Sequence, residues 1–195
     1  MQTSLLKETV DLVINSRYPD MDSHTREAIE KLLVPIKIPK GEIFVKEGEL
    51  CKYLYFVGKG MLRQYYYKDA KDITEHFSYE GCIIMSIKSM LWAEPNNILA
   101  EALEDSILYR ISYKELMQAT KAHWGINLFY RKVLEYSLVV SQLKAYEWRF
   151  NTAQEKYELL MQRHPEVIKR APLIHIASFL NITPETLSRV RAAII

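Results

Sequence analysis

Glu185, Ser188 and Arg189 form an E-x-x-S-R pattern that a helix would bring to one face. A glutamate there can accept a hydrogen bond from cytosine N4. An arginine can donate two to guanine O6 and N7, a pairing worth about 1–3 kcal/mol of discrimination. Thr183, Thr186 and Arg191 flank the pattern with groups suited to phosphate oxygens, and Lys169 and Arg170 lie just upstream. The chemistry on offer is recognition of duplex DNA.

Residues 171–195, APLIHIASFLNITPETLSRVRAAII, supply the elements that would position these groups. They read as a helix, a tight turn and a second helix. Ile174, Ala177 and Leu180 fall on one face of the first helix. Asn181 stands where the turn needs a left-handed backbone, which asparagine tolerates better than most residues. Ile182 plugs the turn into the core, Thr183 caps the next helix, and Pro184 suits its first position. Leu187, Val190 and Ile194 then face inward, leaving Glu185, Ser188, Arg189 and Arg191 outside. This is the shape of a DNA-reading helix-turn-helix. The same pattern also fits two packed helices of an ordinary tail, so the rest of the chain must decide.

The 195 residues carry a net charge of +2. Lys and Arg number six against four Asp and Glu from position 151 onward, and twenty against twenty before it. The whole excess thus lies in the C-terminal segment, a weak footprint that permits phosphate contact without proving it. No apolar run is long enough to span a bilayer, and the first residues read as an amphipathic helix without a signal-peptide core. A cytoplasmic protein is expected. The two cysteines, Cys51 and Cys82, form no CxxC pair and fit a reducing compartment.

Residues 1–34 read as helical. Residues 35–112 hold short β-branched or aromatic segments: IKIP, EIFVKEG, YLYFVGKG, MLRQYYYK, ITEHFSYEG and SILYRIS. Gly41, Gly48, Gly60 and Gly81 punctuate them at turns. Strands so close together, with no helices between, predict an antiparallel barrel or jelly roll rather than a parallel sheet, and an α+β protein. Residues 113–150 return to helix. There Phe129, Val133, Tyr136, Val140, Leu143, Glu147 and Phe150 follow a 3-4 spacing, a seam with one polar interruption. Such a stripe packs either on its own barrel or on a second copy, and the expectation is a homodimer through Phe129, Val133, Tyr136, Val140 and Leu143. Asn151-Thr152 breaks the helix. Three parts follow: 1–112, 113–150 and 151–195.

This order, with IPKGEIFVKEGELCKYLYFVGKGMLRQYYY, DITEHFSYEG and ITPETLSRVRAAI, resembles the Crp/Fnr family of bacterial transcription regulators over roughly residues 30–195. The resemblance implies a cyclic-nucleotide-binding-like jelly roll, a dimerisation helix and a homodimer on palindromic double-stranded DNA, not an enzyme. The E-x-x-S-R pattern resembles the Fnr branch, which implies half-sites containing TGA. The Crp branch carries an Arg where this chain has Pro184. Many members continue into a β-wing beyond the recognition helix; the sequence here ends at Ile195, and fewer phosphate contacts are expected.

Cyclic-nucleotide sensors of the family use a Gly-Glu pair and an Arg-Ser or Arg-Ala pair to hold the sugar and phosphate. Met85-Ser86 and Asn96-Asn97 stand at those positions. Without the arginine a buried phosphate is costly, so neither cAMP nor cGMP is expected. Another small-molecule effector could meet Arg63, Ser86 and Asn97 and stack on Tyr65, Tyr66 and Tyr67, or Met85, Met90 and Trp92 could fill the pocket. An iron–sulfur cluster needs about four thiolates, so two cysteines exclude it. His76, the barrel's one histidine, has no H-x-H partner for a metal. No catalytic residue, metal or cofactor is expected. The alternative reading is a small-molecule-binding sensor with a vestigial helix-turn-helix.

Overall fold

A computed structural model describes residues 2–194. The chain runs α1 (Gln2–Arg17), α2 (Ser23–Leu32), β1 (Val34–Ile38), β2 (Ile43–Val45), β3 (Tyr53–Lys59), β4 (Leu62–Lys68), β5 (Lys71–Ser78) and β6 (Ile83–Ile84). It continues through α3 (Ile87–Trp92), β7 (Leu99–Ala102), β8 (Ser106–Ser112), α4 (Tyr113–Ala122) and α5 (Trp124–Phe150). Four helices follow: α6 (Ala153–Arg163), α7 (Pro165–Arg170), α8 (Leu173–Leu180) and α9 (Pro184–Ile194).

The strands make two four-stranded sheets, β1-β8-β3-β6 and β2-β7-β4-β5, with every pairing antiparallel. This is the expected jelly roll in an α+β protein. Alternation along the strands assigns the faces. In β3, Tyr55 and Val57 point between the sheets and join Leu62, Ile84, Ala102 and Leu108. Leu54 and Phe56 point the other way, beneath α1, α2 and α5, with Val10, Ile14, Ile29 and Phe129. A third core, Tyr157, Leu160, Val167, Ile176, Ala177, Leu180 and Leu187, binds the last four helices together and takes in Met61 from the barrel.

Gly60 has φ +104° at the β3–β4 turn, and a Cβ there would lie 2.1 Å from Ser106 Oγ. Only glycine allows both the turn and the close approach. Gly125 does similar work in α5, where a Cβ would stand 2.0 Å from Thr25 Oγ1 of α2.

Two expectations change. Strands β6 and β7 and helix α3 stand in a stretch that showed no pattern. Ala100 and Ala102 of β7 are small enough to bury completely between β2 and β4. In α5, Phe129 and Val133 lie in the chain's own core, 3% and 1% exposed, and Phe129 stacks on Phe56 at 6.3 Å. They are therefore corrected from seam residues to core residues. Trp124 at the start of the helix is exposed, and beyond Val133 the exposed apolar stretch runs from Tyr136.

Candidate nucleic-acid interface

Helices α8 and α9 realise the turn that the sequence predicts. Asn181 adopts φ 55°, ψ 46°, and the Ile182 N–H reaches back to the Ala177 carbonyl at 3.0 Å. Thr183 caps α9: its Oγ1 accepts the Thr186 N–H at 3.2 Å, and its carbonyl accepts the Leu187 N–H at 2.9 Å. The first helix is rotated from the expected face. Ile176, Ala177 and Leu180 are buried, while Ile174 is exposed.

Leu187 is buried, which turns Glu185, Ser188 and Arg189 outward together. Arg189 Nη2 donates to Thr186 Oγ1 at 3.3 Å, a light tether that leaves the guanidinium in solvent. A hydrogen bond from its own N–H, then the Thr183 hydroxyl and Arg189, hold the Glu185 carboxyl below its ordinary pKa. It is an acceptor at neutral pH. Thr183 is exposed, and Thr186 and Arg191 are half-buried at the edges of this face. The arrangement offers one carboxylate acceptor, one hydroxyl and one fork of donors on a protruding helix, which is the equipment for reading base edges.

The helices beneath this face sit on the outer surface of the β4–β5 sheet. Arg63 of β4 is 3% exposed; it donates to Asp72 from Nη1 and Nη2 at 2.5 and 2.6 Å and to Glu101 from Nε at 2.7 Å. Its guanidinium lies 4.0 Å from the Tyr65 ring centroid and 2.8 Å from His175 Nδ1 of α8. Arg170 at the end of α7 spans Glu80 at 2.7 Å and Glu104 at 2.7 Å. Its hydrogen bonds hold the Glu104 carboxyl below the ordinary range. Burial opposes the charge on Glu80, but Arg170 and the backbone N–H groups of Glu80 and Gly60 together outweigh it, and its pKa lies below the ordinary value. Lys144 of α5 pairs with Glu75 at 2.9 Å, and Phe77 meets Phe179 at 5.4 Å.

These contacts revise the expected ligand set. Arg63 faces away from the space between the sheets and already holds two carboxylates. Tyr65 is buried under it, and Tyr67 is exposed. Met85 and Met90 pack on the outer core, and Trp92 is 70% exposed, so none of the three fills the sandwich. Ser86 is the N-cap of α3 without a side-chain cap bond. Asn96 is buried, with its N–H on the Glu49 carbonyl and its own carbonyl on the Gly48 N–H, while Asn97 is exposed. Arg63, Ser86 and Asn97 therefore do not converge. Arg170 was missed as a structural ion-pair centre, because its partners lie 66 and 90 positions away.

Along α5, Tyr136, Leu138, Val139, Val140, Leu143, Tyr146 and Phe150 remain exposed. Thr152 then starts α6 with a capping box: its Oγ1 accepts the Glu155 N–H at 3.3 Å, and its own N–H reaches Glu155 Oε2 at 2.7 Å. Among the described residues no helix is long and apolar enough to cross a membrane.

Residues 35–123 match the family described as the cyclic nucleotide-binding domain. Solved structures of similar fold include FixK2 from Bradyrhizobium japonicum, at 19% identity over 83% of each chain, with a TM-score of 0.68. The c-di-GMP responsive global regulator CLP of Xanthomonas campestris aligns at 16% identity over 89% of this chain and 91% of its own, TM-score 0.65. A transcriptional regulator of the crp/fnr family from Eubacterium rectale aligns at 16% identity over 89% and 83%, TM-score 0.66. A comparison with curated proteins finds no match.

Proposed function

We propose that this chain, which carries a cyclic nucleotide-binding domain at residues 35–123 and has the fold of the Crp/Fnr transcription regulators, regulates transcription as a sequence-specific DNA-binding homodimer. The observation that carries the reading is the outward face of α9, where Glu185, Ser188 and Arg189 stand exposed over a buried Leu187. Glu185 and Arg189 read a C·G and a G·C pair, in half-sites containing TGA. Thr183, Thr186 and Arg191 contact phosphate.

The partner for α5 is a second copy. Tyr136, Val140 and Leu143 repeat at seam spacing and stand exposed on α5, and they are joined by exposed Leu138, Tyr146 and Phe150. Pairing along this helix would set two α9 helices about one turn of DNA apart. The barrel lacks the residues that hold a cyclic phosphate. Met85 packs on the core, and Asn96 is spent on its own loop, so the protein does not respond to cAMP or cGMP.

The test is a binding selection on random duplex DNA with purified protein at two salt concentrations. An enriched palindrome with TGA-containing half-sites supports the reading. Weak binding with no motif at either salt counts against it.

A further inference from the structure

Two of the five histidines lie where the C-terminal helices meet the barrel. His175 of α8 places Nδ1 2.8 Å from Arg63 Nη1. His164, between α6 and α7, places Nδ1 2.9 Å from Tyr79 Oη. A guanidinium can only donate a hydrogen bond. His175 Nδ1 must therefore accept, which requires a neutral ring with its proton on Nε2. A proton on Nδ1 would turn the acceptor into a donor and set a second cation against Arg63. The Tyr79 phenol is pushed up to about 12, chiefly by burial, so it keeps its proton; it can donate to a neutral His164 or accept from a protonated one, and only the His175 contact requires a neutral ring.

The surroundings of both rings favour the neutral form. His175 faces Arg63 of β4, Asp72 of β5 and Glu101 of β7. Burial, and then Arg63, keeps its pKa below the ordinary histidine value against the pull of the two carboxylates. Those carboxylates already spend oxygens on Arg63. His164 faces Tyr79 just past the end of β5, Arg163 of α6 and Glu147 of α5. Burial and then Arg163 lower it against Glu147, which is itself bonded to Arg163.

We propose that His175, with His164 beside it, makes the seat of the C-terminal helices on the barrel an acid-released latch, closed while the His175 ring is neutral and loosened when it takes up a proton. The sign follows from linkage. The seated form binds fewer protons than the free form, so seating is favoured above the ordinary histidine range and weakens as pH falls through and below it. The Arg170 pairs with Glu80 and Glu104 stay charged there, because both carboxyls lie below the ordinary glutamate value. The latch sets how α9 is held relative to α5. Its effect on DNA spacing rests on the proposed function; the latch itself does not.

Hydrogen exchange of the full chain without DNA tests it, followed by NMR at about pH 7.5 and about pH 5 and corrected for intrinsic rates. The reporter is the Thr74 amide, which bonds to Ser178 Oγ only when α8 is seated. Its protection should fall by about tenfold at the lower pH, while β8 amides hold. In the double variant His164→Asn/His175→Asn, which keeps an acceptor near each Nδ1 without titrating, the fall should vanish. No fall in the natural protein, or the same fall in the variant, overturns the proposal. Should the variant not seat at the higher pH, the ring titrations of the natural protein decide. Midpoints below the ordinary histidine value uphold the latch, and midpoints at or above it overturn it.

Discussion

The hydroxyl of Ser178 accepts the backbone N–H of Thr74 at 2.9 Å and donates to the Asp72 carbonyl at 3.0 Å. Strand β5 is the edge of its sheet, and an edge strand leaves a row of backbone groups without ladder partners. A helix residue 104 positions away completes that edge.

Removing the hydroxyl should expose the dependence. Thr74 is fully buried, so Ser178→Ala leaves its N–H with neither water nor partner. The expected loss is about 1–3 kcal/mol of unfolding free energy. Urea titration of both proteins measures it. Ser178→Thr keeps the hydroxyl and should cost less. An alanine variant as stable as the parent would show that the contact does not hold the edge.

Arg170→Met should cost about 2 kcal/mol, because it strands two carboxylates that the arginine now bridges. The loss should also depend on pH. Glu80 and Glu104 titrate below their ordinary values, so their pairing stabilises the fold above the ordinary carboxylate range and is lost as pH falls through the lowered values. Acid unfolding of the variant, followed by circular dichroism, should therefore show a shallower dependence than that of the parent. Parallel curves would remove the two glutamates from the acid response.

Local chemistry was legible in the sequence, and tertiary choice was not. Asn181 and Thr183 announce the turn and cap because a left-handed backbone and an open helix end need those residue types wherever they occur. Gly41, Gly48, Gly60 and Gly81 likewise all have positive φ. The stretch LAEA gives no strand signal. It becomes β7 because its backbone pairs with β2 on one side and β4 on the other while Ala100 and Ala102 turn inward and are buried, so tertiary pairing overrides propensity. Arg63 reads as a free cation until the fold brings Asp72 and Glu101 to it. The α5 stripe shows the same limit: apolar spacing is identical whether the face meets its own barrel or another chain.

That stripe separates by mutation. Leu143→Glu places a charge on an exposed apolar position and should leave the fold intact while halving the mass measured by sedimentation. Phe129→Ala empties a core site and should cost about 3–5 kcal/mol of stability. A protein whose mass is unchanged by Leu143→Glu would place the self-association surface elsewhere.

Arg189 offers the sharpest test of base reading. Its guanidinium is exposed and, among the described residues, its hydrogen bond goes to the Thr186 hydroxyl, so Arg189→Ala should change stability by no more than about 0.5 kcal/mol. Any loss of binding then belongs to the interface. If Arg189 forks onto guanine O6 and N7, the variant should lose about 1–3 kcal/mol on the preferred site and little on a site altered at that pair. Arg191→Ala should instead weaken all sequences alike and reduce the salt slope by about 1, because a phosphate contact carries charge but no sequence. Competition binding on matched and altered duplexes, repeated at two salt concentrations, reads both effects. An equal loss on every duplex with Arg189→Ala would move Arg189 from base reader to phosphate anchor, leaving Glu185 to carry the preference.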